Sequence, residues 1–220
     1  MVGTDHLEWL QTRRSVRRFT QRPVERALLE RLFHAAITAP SATNRQPWRF
    51  AAVTSSVQRT TIVDAVRRRT TELKTEVAKS HHAEEFGSYG DFFFEPLESA
   101  QVIVIPQYRA YPDMIAQLIA SGGGDPSRFE TASAMQAELC STSGAIMCLL
   151  LQAHAEGLGA CWMAGPMVAR QLIEAALGIA APWQMVGAIA LGWPEDAPPK
   201  QPGRKPLDKV VTWHEGDTHE

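Results

Sequence analysis

The feature that most constrains this chain is the stretch Glu130–Glu156, which reads as one long helix stopped by Gly157. At ~1.5 Å per residue it would extend about 40 Å. From Gly144 to Ala155 it is apolar on almost every side, and Ala145–Leu151 is the longest uninterrupted apolar run in the sequence. The small residues Ser141-Thr142-Ser143-Gly144-Ala145 would let another backbone approach closely. Such a helix is either the centre of a large core or the spine of a subunit interface. A chain of 220 residues makes one domain. Little core is then available to surround the helix, so the interface is the stronger reading.

The rest of the pattern fits one domain over 1–220, with a core over about 7–193 and a C-terminal arm over 194–220. Asp5 and Glu8 make a capping-box pattern for a short helix carrying Leu7 and Leu10. That helix runs into the basic stretch Arg13-Arg14-Ser15-Val16-Arg17-Arg18-Phe19. Pro23 opens a second helix, in which Leu28/Leu29, Leu32/Phe33 and Ala36/Ile37 recur at helical spacing, and Pro40 ends it. Trp48–Thr54 reads as a strand. Ser56 can cap a third helix reaching about Ser80, with Ile62, Val66, Leu73 and Val77 inward. Gln101–Ile105 is a buried strand rich in β-branched residues. Beyond the long helix come a strand at Ala160–Ala164, a helix at Pro166–Leu177 ended by Gly178, and a strand at Gln184–Leu191. His81–Pro96 and Tyr111–Arg128 have no clean period and read as irregular excursions. The tail Pro194–Pro206 is too rich in proline and charge for a core, yet Val210-Val211-Thr212-Trp213 regains strand character. An arm with that pattern is expected to reach out and pair with something. No internal repeat is present, and the order of elements gives a mixed α+β fold.

Several function classes are excluded on composition. The net charge of −2 argues against a protein held to nucleic acid by bulk positive charge. The longest apolar run is far below the ~20 residues that span a bilayer. The N-terminus has no basic region followed by an apolar stretch, so a cytoplasmic protein with no membrane partner is expected. Cys140, Cys148 and Cys161 are odd in number and lack the paired spacing of a disulfide framework or zinc site. The P-loop, dinucleotide-binding, nucleophile-elbow and zinc-protease patterns are all absent. His81-His82 marks an exposed loop, and His154 reads as a packing histidine. With no nucleophile–base pair to name, no catalytic side chain and no metal ligand is assigned. Any difficult chemistry is expected from a cofactor.

Four constellations could serve one. Arg13, Arg14, Ser15 and Arg17 place three permanent cations and a hydroxyl at a helix end, suited to a phosphate or an anionic ring, or equally a solvated basic face. Pro40–Trp48 brackets Ser41, Asn44 and Gln46 between two prolines, and its amides can read the edge of a heterocycle. The plain alternative is a helix-to-strand loop. Gly157–Pro166 lets backbone approach a flat ligand closely, or is a helix stop and a strand with a bend. Gly203-Arg204-Lys205-Pro206 is a second cationic spot on the arm.

Taken in order, Arg13–Phe19, Ala39–Phe50, a long helix ending Gly157-Leu158-Gly159-Ala160-Cys161-Trp162, and Gly203–Val211 resemble the nitroreductase family of FMN-dependent oxidoreductases, from about Leu10 to Trp213. The resemblance implies a central antiparallel-rich sheet flanked by helices, in a homodimer with FMN at the subunit interface. It also implies a domain-swapped C-terminal strand wrapping the partner. By motif position, Arg13, Arg14, Ser15 and Arg17 would bind FMN, with Arg17 near the pyrimidine end. Ser41, Asn44 and Gln46 would reach the flavin from the other subunit. The backbone around Met163, Ala164 and Gly165 would approach N5, and Arg204 with Lys205 would hold the phosphate. Phe92, Phe93, Phe94 and Tyr111 are candidates for a lid over an aromatic substrate, with helix packing as the alternative. Ala42 stands where many members have a second serine, and Ala164 where some have a glutamate beside the flavin.

The implied reaction passes hydride from NADH or NADPH through flavin N5 to a nitroaromatic, quinone or other small electron-poor ring, in a ping-pong cycle. The same resemblance admits flavin-fragmenting dimethylbenzimidazole synthesis, reductive dehalogenation and azoline oxidation. A non-catalytic flavin-binding dimer is a further alternative.

Overall fold

A computed structural model describes residues 6–81, 90–195 and 202–214. Asp5 of the expected capping box, His82 and the rest of 82–89, and 196–201 and 215–220 of the arm lie outside the described residues.

Five strands form one antiparallel sheet: β1 (Trp48–Val53), β2 (Val102–Arg109), β3 (Gly159–Met163), β4 (Trp183–Met185) and β5 (Ala188–Gly192). The spatial order is β1-β2-β5-β3, with β4 also paired to β2. Strand β2 is buried on both faces along most of its length, and its alternation separates two cores. Ile103 and Ile105 point to one side, against Ile62, Val63 and Val66 of α3 (Ser56–Val77), Leu97 of α4 (Glu95–Ser99) and Ile173 of α7 (Arg170–Leu177). Val102 and Val104 point to the other, against Leu28, Leu29 and Leu32 of α2 (Arg26–Ala36) and Ile146, Leu149 and Leu150 of α6 (Ala137–Ala155). The sheet is thus sandwiched between two helical layers, as the alternating pattern requires. The short α1 (His6–Thr12) and α5 (Met114–Ser121) bury none of their residues.

Some boundaries differ from the sequence expectation. Ser55, not Ser56, caps α3, its hydroxyl accepting the Gln58 N–H at 3.5 Å. The long helix begins at Ala137 rather than Glu130, because Gln136 adopts a left-handed φ of 52°. Upstream, Thr131 is tied by its hydroxyl to the Asp113 carboxylate. The expected helix Pro166–Leu177 is a 3₁₀ turn over Gly165–Ala169 followed by α7, which Gly178 closes at φ 65°. Gln184–Leu191 is broken into β4 and β5 at Gly187, whose φ is 99°. Val210–Trp213 forms no strand in the single chain, and Leu207, Val210 and Trp213 are exposed.

Helix α6 has two unlike sides. One side is core. The other carries exposed Cys140 and Met147 and half-buried Gly144, Cys148 and Leu151. A Cβ added to Gly144 would meet nothing within 4 Å. Among the described residues no helix is long and apolar enough to cross a membrane.

Candidate functional site

The basic segment after α1 is laid along the free edge of β3. Ser15 bridges Ala160 in parallel, and the Val16 N–H donates to the Ala160 carbonyl at 3.1 Å. Further on, Phe19 is buried over Gly192, and the Thr20 N–H donates to the Trp193 carbonyl at 2.9 Å. Gly159 makes the approach possible, since a Cβ there would lie 2.7 Å from the Val16 side chain. The glycine of the expected close-approach motif therefore serves to seat the cations.

Seated this way, Arg17 faces a cavity of about 500 Å³ that is also lined by Phe92, Phe93 and the strand end Cys161–Gly165. Phe92 and Phe93 meet edge to face, with ring centroids 4.8 Å apart. Phe93 packs so closely on Gly165 that a Cβ there would fall 2.3 Å from the ring. Beneath the cations lies Cys161. Burial pushes its thiol pKa up, opposed by Arg17, by a hydrogen bond with Ser15 and by Arg13. The thiol is therefore neutral near pH 7. Cys161, Trp162, Met167 and Val168 line this cavity without having been assigned to it from sequence. The alternation of β3, which puts Cys161 and Met163 on one face, was the available signal.

Arg13 and Arg14 turn to a smaller cavity of about 170 Å³ beside Thr12, Leu150 and His154. His154 shares a hydrogen bond of 2.8 Å with the Thr12 hydroxyl and stacks on Trp9 at 5.3 Å. Burial lowers its pKa, and the nearby cations Arg13 and Arg14 lower it further. This histidine sits at the C-terminal end of α6.

The amide-rich loop lies at the other end of that helix. The Ala42 N–H donates to the Ser141 hydroxyl at 3.4 Å, and Arg45 pairs with Glu138 at 3.2 Å. Thr43, Asn44 and Gln46 all take positive φ, between 48° and 53°, an uncommon state for residues with side chains that concentrates at functional sites. The Ser41 hydroxyl accepts the Gln46 N–H at 3.0 Å, and the Gln46 amide donates to Asn44 Oδ1 at 3.1 Å. Tyr111 belongs to this end too, with Arg45 and Arg109 over its ring at 5.0 and 4.6 Å. Phe94 is half-buried against the core, with Arg67 over its ring at 5.2 Å. Arg204 and Lys205 are exposed on the arm segment, where Arg204 donates to the Pro202 and Gly203 carbonyls.

One chain thus brings Ser15, Arg17 and Met163–Gly165 together, with Phe92 and Phe93, and Arg13 and Arg14 alongside. It keeps Ser41, Asn44, Gln46 and Tyr111 apart from them. Ser141 and His154 mark the two ends, separated by roughly 20 Å along a helix that rises ~1.5 Å per residue.

Comparison with known proteins agrees with this architecture. The family model described as "Nitroreductase family" matches residues 10–193. A 5,6-dimethylbenzimidazole synthase of Rhodospirillum rubrum is 30% identical over 197 residues, covering 90% of this chain and 84% of that protein. Among solved structures, a BluB-like flavoprotein from Clostridium difficile 630 superimposes with a TM-score of 0.84 at 24% identity, covering 97% of this chain and 100% of the other. The FMN- and NADPH-dependent nitroreductase NfnB from sphigopyxis sp. strain HMH superimposes with a TM-score of 0.71 at 21% identity, covering 97% and 100%.

Proposed function

We propose that this chain, which belongs to the nitroreductase family of oxidoreductase-type enzymes, acts as a homodimer with FMN at the subunit interface. In this reading it passes hydride from NADH or NADPH to a nitroaromatic, quinone or similar electron-poor acceptor. The observation that carries the reading is the division of the ligand-type side chains between the two ends of α6. Met147 and Cys148 lie midway between Ser141 and His154. A two-fold axis there would lay one subunit's amide loop over the cationic segment of the second copy, an isologous contact. The apolar stripe around exposed Met147 suits such an axis. The exposed Leu207, Val210 and Trp213 suit an arm that adds a strand to the second subunit.

The residues present fit the flavin. A cavity of about 500 Å³ falls in the ordinary range for small-molecule sites, and its lining pairs aromatic faces with one permanent cation. Bound there, FMN would supply two-electron redox chemistry. Arg17 would favour negative charge at the pyrimidine end, where water is partly excluded and charge interactions are stronger. The strand end Met163–Gly165 would set the ring's depth. Arg13 and Arg14, with Arg204 and Lys205, would hold the phosphate. Ser15, with Ser41, Asn44 and Gln46 of the second copy, would hold the polar edges. Phe92 and Phe93 would exclude water from the stacking face. Tyr111 would reach the cavity from the second copy, while Phe94 stays inward.

The test is an absorbance spectrum of the purified protein, followed by anaerobic NADH and then NADPH. Bands near ~450 nm that bleach with nucleotide and recover with a quinone support the reading. A colourless protein that takes up no FMN defeats it. A second reading, in which the flavin itself is consumed, is favoured by the similarity to a dimethylbenzimidazole synthase and a BluB-like flavoprotein. It predicts that reduction followed by air destroys the visible bands instead of restoring them.

A further inference from the structure

We propose that the groove between α3 and the turn preceding α7 receives the phosphates of the nucleotide hydride donor, with Arg68 as the cation that reads them. The inference rests on the flavin reading above and adds a subsite to it. Continuity is the first argument. Met167 and Val168 line the flavin cavity and also this groove of about 410 Å³. Val168 borders a further void along α3, beside Leu73 and Thr75. The groove and the flavin cavity therefore adjoin, meeting at Met167 and Val168.

Charge is the second argument. Arg68, Arg69, Arg170 and one carboxylate, Glu72, line the groove. Arg69 is committed, pairing with Glu72 and donating to the Val168 carbonyl at 3.4 Å. Arg170 pairs with Glu174 at 3.0 Å and donates to Gln184 at 3.1 Å. The Arg68 guanidinium has no ion pair or hydrogen bond among the described residues. Its neighbour Arg67 is turned the other way and held by Asp64 and Glu98. Among the described residues the groove thus keeps one guanidinium outside any ion pair beside two that are paired.

Ligand chemistry supplies the third. A dihydronicotinamide stacked in the flavin cavity carries its pyrophosphate one ribose away, outside the ring pocket. A guanidinium fork matches two phosphate oxygens at once. The groove would then distinguish a dinucleotide donor from an uncharged dihydronicotinamide by its phosphates rather than by its ring.

The experiment titrates ADP calorimetrically onto the wild-type protein, Arg68→Ala and Arg67→Ala, with and without added FMN, at low and moderate salt. Arg68→Ala should raise the ADP Kd about tenfold, the size expected for a charge-assisted phosphate contact. Arg67→Ala should change it less than about twofold. Binding should weaken with salt. In turnover, the KM of Arg68→Ala should rise more for NADH than for N-benzyl dihydronicotinamide, which has no phosphate. Equal ADP affinity in the two variants, or no ADP binding by the wild type, overturns the inference. ADP binding that depends on Arg68 in a protein that takes up no FMN keeps the groove as a phosphate site and overturns the flavin reading instead.

Discussion

Gly159→Ala probes whether the edge of β3 holds the cationic segment. A Cβ at this position lies 2.7 Å from Val16 Cβ and Cγ1 and 3.1 Å from Cγ2, where carbon atoms in contact prefer ~3.5–4.0 Å. Val16 cannot turn away, because a β-branched side chain is stiff at χ1 and its own backbone is bonded to Ala160. Residues 15–17 must therefore lift from the strand. Overpacking of this kind costs about 1–3 kcal/mol. Restricting the unfolded chain by replacing glycine returns about 0.4–1 kcal/mol. The expected net loss is about 1–2 kcal/mol. Val16→Gly removes the opposing Cβ together with the half-buried methyl groups and alone should cost about 1.5–2 kcal/mol. In the double variant Gly159→Ala/Val16→Gly the clash is gone, so it should be no less stable than Val16→Gly, a coupling of at least about 1 kcal/mol. Urea unfolding with unchanged m values measures this. A parallel FMN titration should show weaker binding in Gly159→Ala, because Ser15 and Arg17 move with Val16, and recovery in the double variant. Additive losses in the cycle, or full stability of Gly159→Ala, would refute the reasoning.

Three further outcomes are expected. Arg17→Ala should weaken FMN binding about tenfold, as loss of a charge-assisted contact does, and slow flavin reduction; unchanged affinity and turnover would remove Arg17 from the site. Met147→Glu should convert a dimer to monomers in sedimentation velocity and lower FMN affinity with it, since like charges would meet at the axis; a stable dimer in that variant would move the axis elsewhere. His154 is depressed by burial and by Arg13 and Arg14, so the unfolded chain binds the proton more readily than the native one. Its contribution is present above the ordinary histidine pKa near ~6.5 and is lost as the pH falls through the lower native value. Stability in urea should therefore decline from pH 7 toward pH 5, and His154→Gln should flatten that decline. An unchanged slope would mean that other groups set it. Glu156 and Asp113, depressed by hydrogen bonds from Arg31 and from the Ala116 N–H, act at lower pH.

The parts of this protein that were legible in its sequence are those whose cause is local. Helical spacing of leucines marks α2, and the β-branched run marks β2, because each buries a face set by its own period. The motifs of the cationic segment and the amide loop were legible for the same reason, as compact groupings of residue types. What escaped is set by contacts far along the chain. Gly187 breaks the expected strand Gln184–Leu191 because a Cβ there would lie 2.4 Å from the Met163 carbonyl oxygen and 3.0 Å from the Trp162 indole nitrogen. That indole instead donates to the Val186 carbonyl at 2.9 Å. No pattern within 184–191 encodes the neighbour that demands the break. The same holds for Glu130–Gln136, which carry helical residues but are tied through Thr131 to Asp113 on a separate excursion. It holds most of all for the site. The sequence places the cationic and amide motifs in order, yet only the fold sets them at opposite ends of α6. In the proposed dimer that separation would leave a lone subunit incomplete, and the apolar outer stripe of the helix would be the part that brings the two motifs together.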